Sequence, residues 1–371
     1  MRLRFCEQGA LLWWEAGPRA VTYGAIAKAS GESKSLVSHH FKTQKALLRA
    51  CAETLAEKVA AHLEQLANSL SAADPRLCTP EDVAVLIVER LLDDERRYAI
   101  AFLEIASLAA IDREYAPLAA RMLRAIDAAL AKFPDRQALL RTIILGEILS
   151  QAPLPPSPAA SLGLRARIAW FLAPPPEWRA LLRAAERFEQ TPSAPASPAA
   201  PAVAPDMAKP ERIVAAAVRL LARGEEPTHR AIAAEAGVPL AATTYYFRSR
   251  VSIFERAYEQ IVEAIERRVE TISTPKRALA PERLTELIGA MVPFFLSVQT
   301  EATIAHLNLA LIAAREPELQ SWAEKAHETE AASVEAYLGK ADYASSNVAR
   351  GILAFQTGLV LRHLLSDGAA S

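Results

Sequence analysis

The chain has 371 residues, 51% of them hydrophobic, with a net charge of −1 and only 13 glycines. That length exceeds what one core usually fills, so two or more domains are expected, and the Ala- and Leu-rich composition with few β-branched runs favours helices over sheets. Cys6, Cys51 and Cys78 are odd in number and lack CxxC spacing, which argues against a disulfide framework and fits a reducing cytoplasm. Glu7, Gln8 and Glu15 interrupt the apolar N-terminus, so no signal peptide is expected, and no apolar run reaches membrane-spanning length.

In chain order, apolar residues at three- and four-residue spacing predict helices near 3–16, 22–29, 33–40, 43–70, 80–93, 95–112, 115–132 and 135–151. The fourth is marked by Leu47, Leu48, Cys51, Leu55 and Val59. A Pro-rich stretch follows at 152–161, then a helical stretch Leu162–Leu172, a stop at Pro174, Pro175 and Pro176, and an amphipathic helix through Glu189. The segment Thr191–Pro210, TPSAPASPAAPAVAPDMAKP, cannot sustain a helix and reads as a semi-extended linker. Beyond it, helices are predicted near 209–223, 228–236, 240–246, 249–273, 281–299, 301–314, 316–339 and 344–366.

The second half repeats the first. TYGAIAKASGESKSLVSHHF, residues 22–41, aligns without gaps on THRAIAAEAGVPLAATTYYF, residues 228–247, with Thr22/Thr228, Ala25/Ala231, Ile26/Ile232, Ala27/Ala233, Gly31/Gly237 and Phe41/Phe247 identical. Each stretch reads as a Thr-capped helix, a Gly turn and a second short helix ending in an aromatic anchor, the pattern of a helix-turn-helix whose second helix enters a DNA major groove. Farther on, Ala101–Ala110 aligns with Ala305–Ala314, so the repeat extends beyond the two readers.

Charge follows the same division. Residues 1–50 hold eight Lys/Arg against Glu7, Glu15 and Glu32, and residues 209–254 hold seven against four Glu. Two basic islands in an acidic body suit phosphate-facing heads on a solvated frame.

With those stretches in view, the chain resembles the tetracycline-repressor family of one-component bacterial regulators, twice over. That family's reader follows the pattern T-x-x-x-IA-x-x-x-G-V-S-x-x-x-x-Y-x-H-F with a Lys opening the long fourth helix, and the resemblance covers about 50 residues in each half. The sequence departs from it at Ser38 and Thr244 in place of the usual Tyr, at Glu32 in place of Val, and at Gln44 and Arg250 in place of Lys. The resemblance implies an all-α chain of two tandem units, each a three-helix reader with a helical ligand-binding and dimerisation bundle. The expected domains are readers at 1–50 and 209–255, bundles at 51–190 and 256–371, and the linker at 191–208.

Ile26, Ala27, Gly31, Val37, Phe41, Ile232, Ala233, Gly237 and Phe247 are expected to hold the reader helices together. Facing outward should be Ser33, Lys34, Ser35, Ser38 and His39 on one recognition helix, and Leu240, Ala242, Thr243, Thr244 and Tyr245 on the other. Hydroxyls suit base edges or phosphates, while Ala and Thr methyls suit thymine. On a generic helix the same residues would be an ordinary solvated face. The resemblance adds His40, Lys42, Lys45, Tyr246, Arg248 and Arg250 as phosphate contacts, with Thr22, Thr228 and His229 beside them. His39-His40 does not read as a metal site, because adjacent helical residues diverge and no further ligand has suitable spacing.

The resemblance also implies a largely apolar small-molecule inducer, for which Phe294, Phe295, His306, Asn308 and Trp322 are candidates; plain core packing is the competing reading for each. Glu104 reads as a surface or capped position. No catalytic constellation and no cofactor site is legible, so no enzymatic activity is expected. The expected partner is a double-stranded DNA operator, read by a repressor whose halves pair within one chain; a homodimer is the alternative arrangement. In related regulators the last two helices of each unit form the dimer bundle, here 115–132 with 135–151 and 316–339 with 344–366. A flexible fusion raises the local concentration of one half for the other to about the millimolar range. A competing expectation is a sensor or interaction protein in which the first reader, or both, has lost DNA binding, motivated by Glu32 and Ser38.

Overall fold

The computed structural model describes residues 1–72, 78–93, 95–155, 158–173, 208–272, 300–338 and 345–366. Among them every regular element is a helix. The predicted helix 281–299, the helix through Glu189, nearly all of the linker 191–208, and Phe294 and Phe295 lie outside the described residues.

The first reader consists of α1 (Arg2–Ala16), α2 (Tyr23–Ser30) and α3 (Lys34–His40). Thr22 caps α2, its Oγ1 accepting from the Ala25 amide at 3.1 Å, which satisfies an N–H the helix itself cannot use. Gly31 closes α2 at φ +70°, a left-handed turn that a β-carbon would strain. Phe5, Trp13, Ile26, Val37, Phe41 and Leu47 are almost fully buried between the three helices and α4 (Gln44–Ala72).

The same construction recurs in α10 (Lys209–Ala222), α11 (His229–Ala236) and α12 (Leu240–Tyr246). Thr228 accepts from the Ala231 amide at 3.1 Å, and Gly237 turns at φ +63°. Even the outer clamp is repeated: Arg4 donates to the Ser30 carbonyl at 2.7 Å and Arg212 to the Ala236 carbonyl at 2.6 Å. Each guanidinium thereby occupies a carbonyl that the end of a helix leaves open.

Behind the first reader lie α5 (Pro80–Leu92), α6 (Arg96–Ile111), α7 (Ala116–Ala129), α8 (Gln137–Gln151) and α9 (Pro158–Leu172). Behind the second lie α13 (Arg250–Ile272), α14 (Thr300–Arg315), α15 (Gln320–Leu338) and α16 (Ser346–Ser366). The helix expected at 316–339 divides at Pro317 into a 3-10 turn, Pro317–Leu319, and α15. Proline can open a helix but not continue one.

The two halves share a core. Leu307, Leu311, Phe355, Leu359, Leu361 and Leu365 join the apolar cluster built mainly from residues before 172. Its seam is the crossing of α8 and α16, where two glycines remove the side chains that would hold the backbones apart. A β-carbon on Gly146 would fall 1.7 Å from the Ala354 carbonyl oxygen, and one on Gly358 would fall 1.9 Å from that of Thr142. Arg362 then donates across the seam to Thr142 Oγ1 at 2.7 Å.

The expected seam needs correction at α15, which lies mainly on α16 of its own half, and at α7. That helix lies mainly on α4, because its narrow apolar stripe of Ala119, Met122, Ala125 and Ile126 is already covered there. Instead α6 meets α14, and α9, which has no counterpart in the second half's sequence, packs on α5 and α16.

Candidate DNA-binding interface

On α3 the core side is Val37, fully buried, while Ser33, Lys34, Ser35, Ser38 and His39 are exposed and His40 is half-buried. Ser33 also caps the helix, its Oγ accepting from the Leu36 amide at 3.1 Å. His40 packs edge-on to Phe5 with ring centroids 5.6 Å apart. Ser38 donates to the Ser35 carbonyl at 2.9 Å, so its oxygen faces outward as an acceptor suited to the amino groups of cytosine or adenine.

On α12 Leu240, Thr244, Tyr245 and Tyr246 are exposed, and Tyr245 is 81% accessible. Thr244 repeats the Ser38 arrangement, donating to the Ala241 carbonyl at 3.1 Å. Thr243 does not face outward. It is fully buried, donates to the Leu240 carbonyl at 2.8 Å and meets His229 Nδ1 at 3.1 Å. It stands where Val37 stands in the first reader, and a hydroxyl in that place must be satisfied internally. His229 is drawn inward by the same contact. Ala242 is half-buried, and its exposed neighbour Ala241, not anticipated from the sequence, is the methyl on the open face; it aligns with Ser35.

The basic islands are largely spent on internal contacts. Arg2 lies over the Phe41 ring at 5.2 Å, and Arg4 reaches Glu32 at 3.7 Å. Arg219 and Arg223 both bind Glu235, at 2.7 and 2.8 Å, and hold its carboxyl down at about 2.

Lys45 and Arg250, expected to meet phosphate, are paired within the chain. Lys45 pairs with Asp112 at 2.7 Å, and that hydrogen bond raises its pKa. Arg250 pairs with Glu226 and Glu316 and lies over Phe254. Both start their long helices but lean toward the acidic side of the bundle. Lys28, Lys34, Lys42, Lys209, Arg230 and Arg248 are exposed and form no ion pair among the described residues. They are the cations left for phosphate; Lys28, Lys209 and Arg230 were not among the residues singled out from the sequence.

The readers are held by the opposite half as well as their own. Glu104 is a buried junction rather than a surface residue: Trp13 Nε1 donates to it at 2.8 Å, and Arg315 binds it through Nε at 2.5 Å and Nη2 at 2.7 Å. Arg315 also donates to the Trp13 and Trp14 carbonyls at the end of α1. In the repeat Glu104 corresponds to Asn308, which accepts from Ser107 at 2.7 Å and donates to the Leu221 carbonyl at the end of α10. Asn308 is therefore committed to the junction and is not a free ligand handle. Arg19, Glu226, Arg250 and Glu316 continue this charged zone between the readers, where burial lowers the Arg19 pKa.

His306 meets Glu330 at 3.4 Å, and Trp322 packs edge-on to Tyr258 at 5.4 Å, both within the second half's own packing. No helix among the described residues is long and apolar enough to cross a membrane.

Two family models match the chain. Residues 7–51 match the model described as bacterial regulatory proteins, tetR family. Residues 279–371 match the one described as tetracyclin repressor-like, C-terminal domain. Compared with curated proteins, the chain matches none. The two matched segments fall in different halves, with the first bundle and the second reader between them.

Proposed function

We infer, from a chain that belongs to the tetR family of bacterial regulators, that its operator is read by two unlike recognition helices carried in one polypeptide. In this reading the protein is a ligand-responsive repressor that acts in the cytoplasm as a covalently linked pseudo-dimer, with no catalytic step. The observation that carries it is the second reader: α10–α12 repeats the Thr cap, the left-handed Gly and the Arg clamp of α1–α3. The shared core and the glycine crossing of α8 and α16 support pairing within the chain.

Two identical readers select a palindrome, because operator symmetry mirrors protein symmetry. Here Lys34 and His39 offer donors on one side, while Leu240, Ala241 and Tyr245 offer apolar and aromatic surface on the other. Selection from random DNA with the purified chain should return two dissimilar half-sites in fixed order. A perfect palindrome would overturn the intramolecular arrangement in favour of two chains pairing. A single half-site would support the alternative of a silent first reader, for which Glu32, half-buried beside α3 and paired with Arg4, is the specific reason.

A further inference from the structure

Between the halves, α5, α8 and α9 face α15 and α16 across a cavity of about 300 Å³. It contains none of the residues singled out for ligand binding in the sequence. One wall is built by the additional helix α9, which Gly163 brings close to α16: a β-carbon there would fall 2.9 Å from Arg167 Nη1 and 3.0 Å from Asn347 Oδ1.

The polar groups of this cavity are unequally served. Arg167 is satisfied, forked onto Glu147 with both bonds at 2.7 Å and joined to Asn347 at 2.9 Å. Arg96 donates to the Ala152 and Leu154 carbonyls. Arg350 is different: its Nε is buried and has no hydrogen-bond partner. Arg350 lines the cavity and its side chain forms no ion pair or hydrogen bond among the described residues, so its guanidinium is a cation there without an acceptor. The same wall carries His327, which burial shifts toward its neutral form, opposed by Glu330 and Glu147 and aided by Arg350 and Arg167. Leu92, Leu154 and Leu164 supply an apolar side. The lining also carries the carboxylates of Glu89, Asp93, Glu324 and Glu328, the last three exposed, which disfavour a multiply charged anion far more than a singly charged one.

We propose that this cavity binds a small organic monocarboxylate, its carboxylate on Arg350 and its apolar body against Leu92, Leu154 and Leu164. A planar carboxylate accepts from the terminal Nη groups of a guanidinium, which at Arg350 are not enclosed as its Nε is, and a compact aliphatic or aromatic body fits the volume. The site draws on both halves at once, so its occupant bridges α9 to α16. The proposal names the effector class for the ligand-responsive reading above and rests on that reading only for its effect at DNA.

The test is calorimetric titration of the full chain with benzoate and octanoate, beside benzamide, octanamide and inorganic phosphate. At least one carboxylate should bind, more tightly than its amide and than phosphate. Arg350→Ala should weaken it about tenfold or more, the usual weight of a hydrogen bond to a charged group. Ala160→Phe, which fills the cavity and leaves Arg350 in place, should also abolish binding, so a misfolded Arg350 variant cannot decide the matter. Failure of both acids to bind, amides binding as tightly as acids, or Ala160→Phe binding like the parent chain would each overturn the site. Operator binding is measured on the same preparations. Its loss in the parent chain would sink the regulator reading while leaving the carboxylate site standing.

Discussion

At the residue scale the decisive group is Glu104. Its carboxylate is buried against Trp13 and Arg315, so the guanidinium that gathers the end of α1 has its counter-charge supplied by α6. Breaking a buried pair by removing one partner is far more damaging than replacing both with apolar groups, because a lone charge is left behind. Glu104→Gln keeps an acceptor for Trp13 but strands Arg315, and we expect a loss of about 3 kcal/mol in urea unfolding. The double change Glu104→Leu with Arg315→Met should lose less than the single one; an equal or greater loss would show that packing, not charge, is at stake.

Glu235 makes a second prediction. Its carboxyl lies at about 2 in the fold, held down by Arg223 and then Arg219, against roughly 4.3 for a free Glu. The folded state therefore binds this proton less readily than the unfolded chain. The stabilisation is complete above the unfolded value and is lost as pH falls from there through about 2. Glu235→Gln should flatten the acid limb of a stability–pH curve in that window and leave its shape near neutrality unchanged.

Legibility in the sequence was uneven at this scale. The hydroxyl of Thr243 suggests the open face, although the repeat register pairs it with Val37 and so with the core. The Glu104–Arg315 contact joins residues 211 apart, and no local pattern carries that information.

At the scale of elements, most helices were legible because their ends are written in local chemistry. Thr22, Thr228, Gly31 and Gly237 mark caps and turns that depend on a few neighbouring residues. Partner choice was not legible, since an apolar stripe announces burial without naming what covers it. Hence the stripe of α7 suits the seam by pattern, although the helix lies on α4. The glycines of α8 and α16 were the available signal, since a glycine within a helix often marks close approach. Gly146→Ala and Gly358→Ala should each destabilise the chain by about 1–3 kcal/mol, the usual range for overpacking. Gly24, with nothing within 4 Å of its would-be β-carbon, is the control: Gly24→Ala should not lower the melting temperature. A comparable drop at all three sites would deny the crossing its special role.

At the scale of the whole molecule, a core running through both halves predicts one cooperative body. Light scattering should return about 40.2 kDa, the mass of a single chain, and dilution should not change it. A stable doubled mass would mean that like halves pair between chains.

The junction at Glu104 has a further consequence, for heredity. In an assembly of two identical chains every lock occurs twice, and each mutation strikes both copies together. Here the Glu104–Arg315 lock occurs once: its counterpart positions hold Asn308 and Ile111, and they tie the end of α10 by a neutral amide and an apolar contact. Harm at one end of the molecule is not duplicated at the other, and neither is benefit. Each recognition helix can accordingly drift by single steps, its twin unchanged, and an operator can be rewritten one half at a time.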